Sequence, residues 1–409
     1  MSDATDVVVI GAGQAGLAVS HELARRDVEH IVLERGRVGQ TWRERWDSFC
    51  LVTPNWSLQL PGFHYDGEDP HGFMPRDEIV AYLERYAFGF DAPVKEGVEV
   101  TQLSQEPSGG FVLETPAGPL TANTVVLSTG AYQRAHRPPG AGTLPADLLQ
   151  LDVGGYRNPA ELPVGRVLVV GSGQSGCQIA EELREAGRDV FLSCGRAPWT
   201  TRRIGDHDFV WWAAESGYLD DPADALESPN DRLVANLLAT GHGGGHDLHL
   251  RTLQAQGVTL LGHFLGAHGR RARFAADLAE TVAWGDGRNA KMMERFTEWA
   301  EEAGLPRPEI AEPDHFDPQS PEELDLDGFA AVLFAGGFRP DYASWVQCEN
   351  AFDELGFPIH VEGGSRAAPG LHFVGVHFLR KRKSSLLIGV GDDAAVVAGR
   401  IADERASAG

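Results

Sequence analysis

"VVIGAGQAGLAVSHEL" (residues 8–23) and "VVGSGQSGCQIAEEL" (residues 169–183) decide the fold, because they are the same turn written twice. Gly11, Gly13, Gln14 and Gly16 recur 160 positions later as Gly171, Gly173, Gln174 and Gly176. Each copy follows a short Val-rich run and opens a helical pattern. Each leads to a second apolar run, "HIVLE" (30–34) or "VFLSC" (190–194). Strand, Gly-rich turn, helix and strand is the βαβ unit of a parallel sheet. In G-x-G-x-x-G the first glycine permits the tight turn. The second lets a pyrophosphate approach the backbone, and the third lets the helix pack on the strand. The free N–H groups and positive dipole at the helix N-terminus then suit phosphate. The alternative reading of either copy is a tight turn with no ligand. The expected fold class is α/β with two Rossmann-like dinucleotide-binding domains.

The ends of the second strands divide the two sites. Glu34 lies 18 residues after Gly16 and can accept from a ribose diol, so the first site fits FAD or NAD. At the same offset the second copy has Cys194, with Ser193 before it and Arg196 just beyond. No acid remains there, and a guanidinium can pair with a 2′-phosphate, so the second site fits NADP. A merely polar loop at Ser193 and Arg196 is the competing reading.

The rest of the 409-residue chain bounds the answer. Its 35 basic and 59 acidic residues give a net charge of −24, which disfavours nucleic acid and anionic membrane as partners. No signal peptide or membrane-spanning run is visible, and Cys50, Cys177, Cys194 and Cys348 are scattered without a C-x-x-C pair, so a cytoplasmic location is expected. A helix is expected over 77–88, small strands at 98–103, 111–115 and 124–128, further strands at 330–334 and 371–376, and a last helix over 391–404. The expected division is a discontinuous first domain of residues 1–155 and 326–409. The second, 156–325, would carry an inserted helical segment at about 205–310 that shapes a substrate region. Oligomeric state is left open, a homodimer being one compatible assembly.

With these residues in view, most of the chain resembles the class B flavin monooxygenases, the flavin-containing and YUCCA-like enzymes. "VGQTW" (38–42) and the segment to Gly62 look like the family stretch that passes the flavin. "LSTGAY" (127–132) and "FAGGFRPD" (334–341) resemble its two crossing strand ends, and residues 371–404 its closing flavin-binding segment. The resemblance implies FAD and NADP(H) as cofactors and O2 and a small molecule as reactants, with transfer of one oxygen through a flavin C(4a)-hydroperoxide. It places Ala15, Arg35, Gln40, Thr41, Trp42, Gly130, Gly389, Gly391 and Asp392 at the flavin, with the Gly11–Gly16 turn and Glu34. Ser175 joins the Gly171–Gly176 turn at the second nucleotide, and Gly337, at the second crossing strand end, is a further cofactor-binding position. Asn55, in "VTPNW", matches a position near the reactive flavin face, against an ordinary turn role after Pro54. The family fingerprint F-x-G-x-x-x-H-x-x-x-Y/W keeps only its last position, Tyr156. Ala146, Leu148 and Asp152 stand where Phe, Gly and His belong. That departure keeps an FAD-dependent NAD(P)H oxidase or reductase, and a redox sensor, beside the monooxygenase.

Three further stretches invite chemistry. "RKRK" (380–383) could meet cofactor phosphates, though a solvated loop is the plainer reading. Trp211 and Trp212 could wall a substrate pocket. "GHGGGH" (241–246) looks like an oxyanion loop, but no G-x-S-x-G accompanies it, and His242, His246 and His249 lack a fourth metal ligand. No metal is expected.

Overall fold

A computed structural model describes residues 4–234 and 236–408. Both Val-rich runs are strands buried on both faces. Val7, Val8 and Val9 are fully buried, as are Val167, Leu168 and Val169. Their side chains alternate between cores: Val7 and Val9 enter one cluster, Val8 and Ile10 another. Val167 and Val169 likewise part from Leu168 and Val170. A strand covered on both faces belongs inside a parallel sheet, which is where both lie.

The first sheet has a parallel core in the order Val94–Glu96, Ile31–Glu34, Ala4–Ile10, Leu120–Leu127, Leu371–Phe373. The first half of Leu120–Leu127 also pairs antiparallel with Phe111–Glu114, which pairs with Gln102–Gln105. The helix Gln14–Ala24 and the C-terminal helix Val390–Ala408 cover one face. Leu17, Ala18, Ala394, Val397 and Ile401 share that core.

The second sheet is parallel throughout: Leu149–Asp152, Phe329–Phe334, Arg166–Val170, Val190–Ser193, Thr259–Leu261. Three expectations change here. Phe329–Phe334, read as completing the first sheet, is central to the second, where Ala331 and Leu333 join one core and Val332 and Phe334 the other. Leu149–Asp152 is its edge strand rather than part of the first domain. The strand that returns to the first sheet is Leu371–Phe373. The stretch 205–310 is also not simply helical, because Thr259–Leu261 belongs to the second sheet.

The remainder of that stretch joins the domains. The helix Leu278–Glu302 buries Leu278 and Val282 in the second domain's core. Farther along it buries Met292, Met293 and Phe296 in an aromatic cluster with Trp212, and Trp56, Leu386 and Ile388 of the first domain pack against that cluster. The "GHGGGH" loop is a second contact. A Cβ on Gly241 would overlap the Leu51 carbonyl oxygen and the Phe73 ring, and one on Gly245 would press on Phe73. These glycines let the loop lie directly on the first domain. We predict that Gly241→Ala destabilises the protein by about 2–3 kcal/mol through overpacking, measured by denaturant unfolding. A change under about 0.5 kcal/mol would show that the contact is loose.

Candidate functional site

Both turns have one design. Gly11 holds φ +104° and Gly171 φ +111°, a left-handed region that strongly favours glycine. A Cβ on Gly16 would overlap the Gly11 carbonyl oxygen, and one on Gly176 would overlap that of Gly171. The third glycine therefore brings the helix onto the turn. The middle glycine differs: nothing lies within 4 Å of a Cβ built on Gly13 or on Gly173. Protein packing does not require glycine there, whereas a ligand close to the backbone would. Gly13 and Gly173 are also the N-caps of their helices, and neither N-terminus receives a side-chain cap. Each turn thus combines a helix N-terminus free of side-chain acceptors with open space in front of it, which fits a diphosphate.

The two glutamines act alike. Gln14 donates from Nε2 to the Ser385 carbonyl (3.3 Å), and Gln174 does so to the Ala239 carbonyl (3.3 Å). Each ties its turn to the segment passing over it. Gln14 Oε1 also accepts from Trp42 Nε1 at 3.0 Å. Ala15 is buried, and Ser175 is half-buried on the first turn of its helix.

The strand ends differ, as expected from their composition. Glu34 is buried and accepts the Ala12 N–H at 2.8 Å and the Gly36 N–H at 2.9 Å, one on each oxygen. Each oxygen keeps a further lone pair for a diol. In the second site the link runs the other way. Ser172 Oγ, on the turn itself, donates to the Gly195 carbonyl (2.9 Å) and accepts the Gly195 N–H (3.0 Å). Ser172 was missed, although its alignment with Ala12 marks one of the two polar changes inside the turn, the other being Ser175 for Ala15. Ser193 is not presented to the turn. Its buried hydroxyl donates to the Gly262 carbonyl at 2.9 Å. Arg196 is exposed.

Around the first turn, Gln40 is held by the Arg37 N–H (3.2 Å) and Glu44 (3.1 Å), Thr41 is exposed, and Arg35 lies 3.6 Å from Glu44. The Gly130 carbonyl accepts the Tyr342 hydroxyl at 2.7 Å. Gly337 is exposed, and its carbonyl accepts the His136 N–H. Gly389 packs on Lys383, and Gly391 faces Pro61 at the start of the C-terminal helix. Asn55 is buried. Its Nδ2 donates to the Asp69 carbonyl at 2.9 Å, and its Oδ1 has no partner among the described residues. Beside the first crossing, Tyr132 stacks on His377 with ring centroids 5.2 Å apart, and burial pushes His377 down to about 4. That imidazole is neutral.

Other candidates have structural partners. All four cations of "RKRK" are paired: Arg380 with Glu362 (2.6 Å) and Asp393 (3.2 Å), and Arg382 with Asp221 (3.2 Å). Lys381 reaches Asp220 at 2.6 Å, and Lys383 reaches Asp220 and Asp392 at 3.2 Å each. The run clasps the inserted stretch to the C-terminal helix and is not a free loop. Asp392 is one jaw of it. His242 lies 3.3 Å from Glu185, His246 2.8 Å from Glu181, and His249 caps the helix Leu250–Ala255. Trp212 is core, its Nε1 donating to the Ile204 carbonyl at 2.9 Å, whereas Trp211 is half-buried against His207. Asp152, at the fingerprint position, takes two bonds from Arg137, at 2.8 and 3.0 Å.

Comparison with known proteins bears on the family and the fold. Residues 8–209 match the pyridine nucleotide-disulphide oxidoreductase family. A CzcO-like oxidoreductase of Geobacillus kaustophilus is 32% identical over 396 residues, spanning 96% of this chain and 97% of its own. A Baeyer-Villiger monooxygenase of Streptomyces coelicolor is 31% identical over 205 residues, 48% of this chain and 39% of its own. Among solved structures, a flavin-containing monooxygenase from Stenotrophomonas maltophilia superposes with a TM-score of 0.70 at 20% identity, over 98% of this chain and 99% of that one.

The glycine geometry generates a separable pair of outcomes. Gly16→Ala and Gly176→Ala should each cost about 3 kcal/mol or more in ligand-free stability. Gly13→Ala and Gly173→Ala should leave it within about 0.5 kcal/mol and weaken dinucleotide binding instead. Calorimetric melting and nucleotide titration of the four variants check this. Equal destabilisation by all four would remove the ligand argument.

Proposed function

The chain belongs to the class B flavin monooxygenase-like oxidoreductases, and on that premise we propose that it binds FAD at the Gly11–Gly16 turn and NADPH at the Gly171–Gly176 turn. With them and O2 it oxygenates a small organic molecule. The observation that carries the reading is the pair of uncapped helix N-termini, each fronted by open space at its middle glycine. When bound, FAD would take a hydride from NADPH and, once reduced, react with O2 so that one oxygen enters an amine, sulfide or carbonyl compound and the other leaves as water.

The chain's own residues bind, orient and exclude water. Glu34 holds the adenosine ribose of FAD, with Gln14 and Trp42 fixing the turn beside it. The N-terminus of Val390–Ala408 lends its dipole to the flavin. Asn55 offers a buried carbonyl acceptor, Oδ1, toward the reacting region. Trp56, adjacent to it, and Trp211 form the apolar wall that limits water there. Arg196 takes the 2′-phosphate of NADPH.

A second reading, an NAD(P)H oxidase or reductase that inserts no oxygen, draws on Asp152. That residue occupies the fingerprint histidine's position and is committed to Arg137. A dithiol relay is disfavoured, because the sequence has no C-x-x-C or similarly spaced pair and Cys177, Cys194 and Cys348 are buried.

Oxygen fate separates the readings. FAD-loaded protein reduced by NADPH and mixed with O2 in the absence of substrate should regain its oxidised-flavin absorbance slowly, over seconds, and release H2O2 only as that absorbance returns. Immediate recovery with stoichiometric H2O2 would contradict the monooxygenase. Arg196→Ala should raise the KM for NADPH about tenfold or more and leave that for NADH unchanged. Equal effects on both would remove the 2′-phosphate assignment.

A further inference from the structure

Two arginines face each other where the chain crosses between the domains. Arg134–Ala135 pairs antiparallel with Phe338–Arg339, and Arg134 and Arg339 are direct partners. Residues directly opposed in an antiparallel pair point to the same face, with Cβ atoms about 5 Å apart. Like charges so placed repel. His136 adjoins them, and burial together with the two guanidinium groups holds it below its usual range. Burial, and then Arg134, lowers Arg339 as well.

The chain has ample acid to neutralise this cluster, with 59 carboxylates to 35 cations. Yet among the described residues no carboxylate lies within 4.0 Å of either guanidinium. The contrast with the next cation is sharp: Arg137 has two bonds to Asp152. An opposed, unneutralised pair in an acidic protein is a repulsion that an anion would relieve.

Topology says which anion. Phe338–Arg339 lies just beyond the C-terminal end of Phe329–Phe334, and Arg134, which comes from beyond the end of Leu120–Leu127 in the first sheet, is brought there by pairing with it. Ala335, at that end, lies against Gly171, so a Cβ on Gly171 would meet the Ala335 carbonyl. In the second sheet the chain runs outward from Arg166–Val170 through Val190–Ser193 to Thr259–Leu261 on one side. Phe329–Phe334 and Leu149–Asp152 lie on the other. The crevice between Arg166–Val170 and Phe329–Phe334 is therefore the switch point, where a dinucleotide lies across the strand ends. Its adenosine half belongs over Val190–Ser193, near Arg196. Its diphosphate belongs at the turn, and its other half over Phe329–Phe334, on the arginines' side.

We propose that Arg134 and Arg339 bind the diphosphate of the nicotinamide dinucleotide at the second turn. The inference rests on the two-nucleotide reading above and adds a division of labour. Arg196 reads the 2′-phosphate, which only NADP carries. Arg134 and Arg339 hold the diphosphate, which NAD and NADP share.

Calorimetric titration of the FAD-loaded protein with NADP+ and with NAD+ tests this. Arg134→Ala, and the double variant Arg134→Ala/Arg339→Gln, should raise both Kd values by the same factor, about tenfold or more for the double variant. Arg196→Ala should raise that for NADP+ alone. Arg134 is exposed, so the single variant keeps the fold. Unchanged Kd values for both nucleotides, or a loss confined to NADP+, would overturn the assignment. Parent protein that holds FAD but binds neither nucleotide would overturn the two-nucleotide reading itself.

Discussion

The structure depends on one close approach, made twice: a helix brought against the carbonyl of the turn that precedes it. Gly16 and Gly176 permit it, because any side chain there would overlap the Gly11 or Gly171 carbonyl oxygen. The consequence is electrostatic. Each helix starts at the C-terminal end of a buried strand, with no side-chain cap on its first N–H groups. An N-terminus left uncapped by its own chain is a standing site for an anion. The open space at Gly13 and Gly173 gives that anion room.

The rest of the chain fixes how the two sites stand to each other. The crossing strands carry the ends of both sheets past one another, joined at Arg134–Ala135 and Phe338–Arg339. The inserted stretch presses on the first domain through Gly241 and Gly245, through the aromatic cluster at the end of Leu278–Glu302, and through the ionic clasp of residues 380–383 with Asp220, Asp221, Asp392 and Asp393. The clasp comprises several partly buried pairs in one place, an arrangement that can contribute more than isolated surface pairs. Oxygen chemistry on a reduced cofactor would need this kind of closure, since water competes at the reacting centre.

Much of this was legible from residues alone, for physical reasons. A Val-rich strand followed by three spaced glycines has few other structural solutions, so the α/β class, both turns and the place of Glu34 at the end of the next strand could be read directly. Chain order misled at Phe329–Phe334. A strand's sheet is set by its partners, and its near-identical apolar runs on either side gave no sign of which sheet it joins. The helix Leu278–Glu302 lies within the segment expected to be helical at about 205–310, but its bounds were not legible, because Gly285 and Gly287 interrupt the helical pattern. Gly285 is there because the helix lies against the Ala197 carbonyl, a tertiary need that local propensity does not reveal. Ser193 and "RKRK" have side chains of the right chemistry whose partners are far away in sequence: Gly262 for the first, and Asp220, Asp221 and Glu362 among those of the second. Composition names what a side chain can bind, and only the fold names what it does bind.

The central claim is that one chain holds two different dinucleotides at once, on its two matched turns. Quantifying nucleotide in a single complex tests it most directly. Protein saturated with FAD and NADP+, freed of excess ligand under retaining conditions and then denatured, should release one FAD and one NADP+ per chain. Release of FAD alone, or of two copies of one nucleotide, would contradict the account.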